Sequence, residues 1–165
     1  MATPDPCAKL HSLIKDIQFT MMATVCPDGS LRSRPMATHK DDQFDGTLWF
    51  FTHDHDAKVH EILEDTHVNL GYADPGKNDY VSVSGRATLV KDKAKAKELW
   101  NPLYKAWFPD GVDDPQLALI RVDVDRAEYW DSPNSKMVQL GGFVKALVTG
   151  EQARGGEHEK VNFAN

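Results

Sequence analysis

Cysteine is scarce in this chain: Cys7 and Cys26 are the two present. Two cannot build a disulfide framework, so a reducing compartment is the default, and each is expected to be a small buried hydrophobe. Surplus positive charge is missing as well. The 19 Lys and Arg against 25 Asp and Glu leave a formal net charge of −6. A general nucleic-acid binder needs a basic surface that displaces counterions, so that class is excluded, while a small basic pocket on an acidic body is not. No apolar run approaches the roughly 20 residues that span a bilayer. The opening MATPDPCAKL lacks the basic and apolar regions of a signal peptide. A cytoplasmic protein without membrane or nucleic-acid partners is the expectation. Neither GxGxxG nor GxxxxGKS/T occurs, no Ser, Cys or His constellation points to covalent catalysis, and there is no internal repeat.

What is present is an ordinary globular composition, 41% hydrophobic and 27% charged over 165 residues, enough for one domain with a real core. The patterning places that domain over residues 1–150 and leaves 151–165, polar and poor in apolar residues, as a flexible tail. Asp5-Pro6 suits an N-cap and first helical position, and Leu10, Leu13, Ile14 and Ile17 follow at helical spacing, which predicts a helix over 5–17. Strand-like segments follow over 19–25, 31–40, 47–52, 67–73, 80–90 and 117–129. Pro35 cannot donate to a ladder, so its strand belongs at an edge or carries a bulge. Gly85 interrupts the apolar row Val81, Val83, Ala87, Leu89 where a barrel strand would bend. Asp56 is the expected N-cap of a helix whose Val59, Ile62 and Leu63 face inward. Asn101-Pro102 splits 91–108 into two helices, and a C-terminal helix is expected over about 134–149. Six strands joined mostly by hairpins, with helices at the margins, predict a mainly β fold, an antiparallel six-stranded barrel.

The chemistry gathers between Gly29 and Leu63. Arg32, Arg34, Met36 and Thr38 share one face of a strand because side chains alternate. Lys58 lies in the first turn of a helix, where a cation is mildly disfavoured unless an anion is bound there. Helix N–H groups, Lys58 and an arginine could together hold a phosphate; the alternative is three solvated surface charges. Trp49, Phe50 and Phe51 could stack on a planar ligand or belong to the core. His53, His55 and His60 with Asp54 and Asp56 have no settled ligand spacing and read as capping and solvated loop, with no metal expected. Phosphate holding without a nucleophile points to a cofactor that does its own chemistry.

The run from Gly29 to Lys58, followed by Tyr80-Val-Ser-Val-Ser-Gly85-Arg-Ala and a late Tyr129-Trp130-Asp131, resembles the pyridoxamine 5′-phosphate oxidase-like split barrels that bind flavin, and among them the general stress protein branch. The resemblance extends over about residues 8–148. It implies a split β-barrel of the FMN-binding type, a homodimer, and FMN at the subunit interface. Arg34 then falls at the family's phosphate-contacting arginine, and Pro35, Met36 and Thr38 run beside the flavin ring. Phe51-Thr52 matches an aromatic-Thr pair, and Lys58 matches the phosphate-binding lysine. Tyr80 takes the place of a flavin-side glutamine, and Trp130 approaches the ring from the partner subunit. Two cations of the true oxidases are replaced, by Ala57 and near His39, and their C-terminal substrate-binding segment has no counterpart. Pyridoxamine phosphate oxidation is therefore not expected, and FAD becomes an alternative to FMN. The expected activity is an NAD(P)H-linked, flavin-dependent oxidoreduction of a small substrate, with no catalytic residue assigned. The alternative is a non-catalytic stress protein that sequesters or senses FMN or FAD.

Overall fold

A computed structural model of the chain describes residues 5–41, 43–131 and 157–163. Its first element, α1 (Pro6–Ile14), starts where the Asp5 carboxylate accepts the Cys7 amide at 3.1 Å with Pro6 in the first turn. Leu10 and Ile14 carry its buried face. The strands β1 (Phe19–Val25) and β2 (Leu31–Ala37) form a hairpin. Its turn is closed by the Cys26 amide on the Ser30 carbonyl at 2.8 Å, with Gly29 at φ +83°. Then come β3 (Thr47–His53), α2 (Ala57–Glu64), β4 (His67–Asp74) and β5 (Asp79–Val90). After β5 the chain breaks as Asn101-Pro102 predicts. The helix α3 (Lys93–Leu99) ends, the Asn101 side chain accepts the Leu103 amide at 3.0 Å, and a 3₁₀ turn runs over Pro102–Ala106. The long strand β6 (Leu117–Asp131) follows.

The strands form one antiparallel sheet in the order β2-β1-β4-β5-β6-β3. Pro35 does sit on an edge, because among the described residues β2 pairs with β1 alone. The sheet stays open, and its two edges approach where the His39 amide donates to the Trp49 carbonyl at 3.0 Å. One apolar core lies inside the curve, with Met22, Phe50, Leu70, Val83, Ile120 and Val122 fully buried. A second, smaller cluster packs Phe51, Leu117 and Leu119 under Ala96 and Leu99 of α3. The strand β3 is thus covered on both faces, which is why Leu48 to Phe51 are apolar on both.

Two expectations change. A seventh strand, β7 (Glu157–Asn162), lies antiparallel to β6 inside the segment expected as a flexible tail, so among the described residues the sheet has seven strands rather than six. The outer edge of β6 is used twice, by β3 along Leu117–Asp123 and by β7 along Arg126–Asp131. Backbone groups left unpaired by β3 recruit β7, and the exposed His158, Glu159, Lys160 and Asn162 give no alternating apolar signal. The C-terminal helix expected at 134–149 lies outside the described residues. Both cysteines are half-buried rather than buried. Among the described residues no helix is long and apolar enough to cross a membrane.

Gly85 sits at the register shift between β5 and β6. A Cβ there would lie 2.3 Å from the Asp123 carbonyl oxygen, a backbone atom that cannot retreat without moving β6. Gly85→Ala is expected to destabilise the fold by about 2 kcal/mol, which thermal unfolding would register as a Tm lower by roughly 4–8 °C. An unchanged Tm would show that the strand slides freely at the bulge.

Candidate functional site

A cleft of about 190 Å³ opens where the ends of β2 and β3 meet the start of α2. Pro35 and Met36 of β2 form one wall, and Phe51 of β3 forms the floor. A further wall is aromatic, built from Tyr104, Trp107 and Phe108 just after α3. Phe51 meets Tyr104 at 5.0 Å and Trp100 edge-on at 5.5 Å, while Trp107 meets Phe19 edge-on at 6.0 Å. Such packing fixes the rings, which give the cleft an apolar slot.

One end of the slot is charged. Lys58 Nζ donates to Asp56 Oδ2 at 2.7 Å, and the Thr52 hydroxyl and His53 amide reach the same oxygen at 3.1 and 3.4 Å. Asp56 holds the N-cap position of α2, but its side chain makes no capping hydrogen bond and faces Lys58 instead. Burial pushes its carboxyl up, and Lys58, Thr52 and His53 outweigh that to hold it below the usual carboxylate range.

The model of the family described as Pyridoxamine 5′-phosphate oxidase like matches residues 5–154. The chain belongs to this family. Protein bli-3 of Neurospora crassa is 30% identical over 153 residues, 87% of this chain and 73% of that protein. General stress protein 26 of Bacillus subtilis is 33% identical over 87 residues, 52% of this chain and 61% of that protein. The crystal structure of the general stress FMN/FAD binding protein from Xanthomonas citri is similar with a TM-score of 0.70 and 30% identity, covering 81% of this chain and 93% of that one. The resemblance to the general stress branch of the pyridoxamine 5′-phosphate oxidase-like family therefore appears in both sequence and fold.

Of the nine residues that the resemblance points to, Pro35, Met36, Phe51, Thr52 and Lys58 meet in the cleft. Arg34 is not among its lining residues. Its guanidinium donates to Glu61 Oε2 at 2.9 Å, to Thr24 Oγ1 at 2.8 Å and to the Met22 carbonyl at 3.2 Å. The Thr24 hydroxyl in turn donates to Glu61, and Arg32, mostly exposed, lies 3.7 Å from the same carboxylate. Burial pushes the Glu61 carboxyl up, and Thr24, Arg34 and Arg32 outweigh it and hold it down. Thr38 shares a 2.7 Å hydrogen bond with the Tyr72 hydroxyl, whose pKa burial pushes well up. Tyr80 and Trp130 are cross-strand neighbours on β5 and β6. Both are exposed, and Trp130 stacks flat on His158 of β7 at 5.0 Å.

Sequence reasoning missed Glu61 and the aromatic wall. Glu61 falls between Val59 and Ile62 on the inward face of α2, and a carboxylate there is a signal that a buried cation faces it. Tyr104, Trp107 and Phe108 form a run of aromatics beside a helix break, which a core reading absorbs without remainder. The histidines scatter. His53 stacks on His55 at 5.6 Å and lies 3.5 Å from Asp114, while His39 bridges the Tyr104 hydroxyl at 3.0 Å and Asp41 at 3.3 Å. Among the described residues no cluster of three or more potential ligands could hold a metal ion.

Proposed function

We propose that this chain binds a flavin, FMN or FAD, in the Lys58 cleft and works as an NAD(P)H-linked oxidoreductase on a small substrate. The observation that carries the reading is the pairing of an aromatic slot with an end that bears Lys58, in a family that includes an FMN/FAD binding protein 30% identical to this chain. The residues present suit the group: Met36, Phe51 and Tyr104 offer apolar surface to a planar ring, and Lys58 with Thr52 offers donors to a phosphate. Bound flavin would supply the electron transfer itself. The chain's own part is to orient the ring between the two walls and to keep water from its face.

A cytoplasmic homodimer with the flavin at the subunit interface belongs to the same proposal. Supporting it, Phe19, Met21, Tyr80 and Trp130 leave a wide apolar strip exposed on the outer face of the sheet. Met21 is opposite Pro35 and Gly71, and Tyr80 opposite Ala73 and Trp130, so the strip crosses five strands and runs into the cleft at Phe19 and Pro35. An apolar patch of that kind marks an interaction surface. In a dimer, Tyr80 and Trp130 of one subunit could reach the cleft of the other.

Anaerobic addition of NADH or NADPH to the flavin-loaded protein tests the activity. Rapid bleaching of the flavin bands, followed by turnover with an electron acceptor, is the expected result. Flavin that stays bound and oxidised would instead leave the chain as a binding protein that sequesters or senses the cofactor.

A further inference from the structure

The flavin reading does not use the carboxylate that already stands beside Lys58 at the polar end of the cleft. Asp56 Oδ2 takes the Lys58 ammonium at 2.7 Å and stands 3.1 Å from the Thr52 hydroxyl and 3.4 Å from the His53 amide. A hydroxyl, a backbone N–H and an ammonium form the donor set that a phosphate oxygen would seek. The Lys58 side chain is 14% exposed and that of Asp56 34%, so solvent screens the pair only in part. Among the described residues the cleft lining holds one cation and one anion, Lys58 and Asp56, which sum to zero. Arg34 does not restore the balance, because Glu61 takes up its charge at 2.9 Å.

A terminal phosphate therefore meets a site whose lysine is already satisfied. A phosphomonoester carries about −1.5 to −2 at neutral pH, and Coulomb repulsion from a fixed carboxylate grows in proportion to that charge. A pyrophosphate diester carries about one charge on each phosphorus, and a flavin without phosphate carries none.

We propose that Asp56 is a specificity-determining residue of this site, one that disfavours a flavin ending in a dianionic phosphate relative to a dinucleotide or a phosphate-free flavin. The proposal rests on the flavin reading above. Asp56 acts by occupying Lys58 and by repelling the terminal phosphate, and it touches no reacting atom.

Asp56→Asn tests it. Asn has the shape of Asp and serves equally well at an N-cap, and Asp56→Ser is a second variant with the same capping competence. Each protein is titrated with riboflavin, FMN and FAD, following quenching of flavin fluorescence, with circular dichroism confirming the fold. In either folded variant FMN should bind about tenfold more tightly than in the parent, the effect of removing one charge–charge contact in a partly buried site. Riboflavin should change by less than about threefold, since no phosphate feels the substitution. FMN affinity that is unchanged or weaker, while the flavins still bind, would overturn the proposal and leave the flavin site standing. If none of the three flavins binds the parent or the variants, the flavin reading falls and takes the proposal with it.

Discussion

Replacing Glu61 with alanine should lower the stability of the domain by about 3–5 kcal/mol, the usual loss when one member of a buried ion pair is removed. The magnitude follows from what the carboxylate holds. Glu61 is 6% exposed and pairs with Arg34 at 2.9 Å, and it accepts the Thr24 hydroxyl as well. Without it, a guanidinium fixed between β1, β2 and α2 faces an apolar methyl, and the Thr24 hydroxyl loses its acceptor. Glu61→Gln keeps the acceptor and loses the charge, so its effect should be smaller. Chemical denaturation would show the difference as a lower midpoint with an unchanged slope. The same carboxylate should make the protein acid-labile. Its pKa is held below the ordinary glutamate value in the folded state, so the folded chain binds fewer protons than the unfolded one. That stabilisation is fully present above about pH 4.3, the unfolded value, and is lost as pH falls through the folded one. The gap in stability between the parent and Glu61→Gln should therefore narrow on acidification. A constant gap would mean that Glu61 is not ionised in the folded protein.

Lys58→Ala should weaken FMN and spare riboflavin. One charge-assisted hydrogen bond contributes roughly 1.5–3 kcal/mol, which corresponds to a factor of about 10–150 in Kd. The loss should fall at the upper end, because the substitution also leaves Asp56, now unpaired, beside the phosphate. Riboflavin, which makes no phosphate contact, should keep its affinity within about twofold. Lys58 is the informative position. Arg34→Ala would also unpair Glu61, so any loss of flavin there would be mixed with a loss of fold. Equal weakening of both ligands by Lys58→Ala would place the phosphate elsewhere.

Much of this was legible in the sequence because it follows from local rules. The alternation of residues 80–90 gave β5, and Gly85 marked its bulge, since both rest on the two-residue period of a strand. Pro35 located an edge and Asn101-Pro102 a break, because proline lacks the N–H that a ladder or helix interior needs. Contacts between distant segments were harder to see. Arg34 and Glu61 are 27 residues apart; a carboxylate on the inward face of α2 signals a buried cation, but nothing local says which one. Asp56 follows capping chemistry locally, yet a lysine two residues on competes for the same carboxylate and wins. The strand β7 carries exposed polar side chains and forms because β6 has an edge to offer, a property of the sheet rather than of the segment.

The central claim is that the Lys58 cleft is a flavin site. Titration of the purified, flavin-free protein with FMN, FAD and riboflavin tests it most directly, read in the flavin absorbance bands and by fluorescence quenching. The account predicts a saturable change with at least one of the three, and a phosphate-dependent loss of that change in Lys58→Ala. No saturable change with any flavin would contradict it.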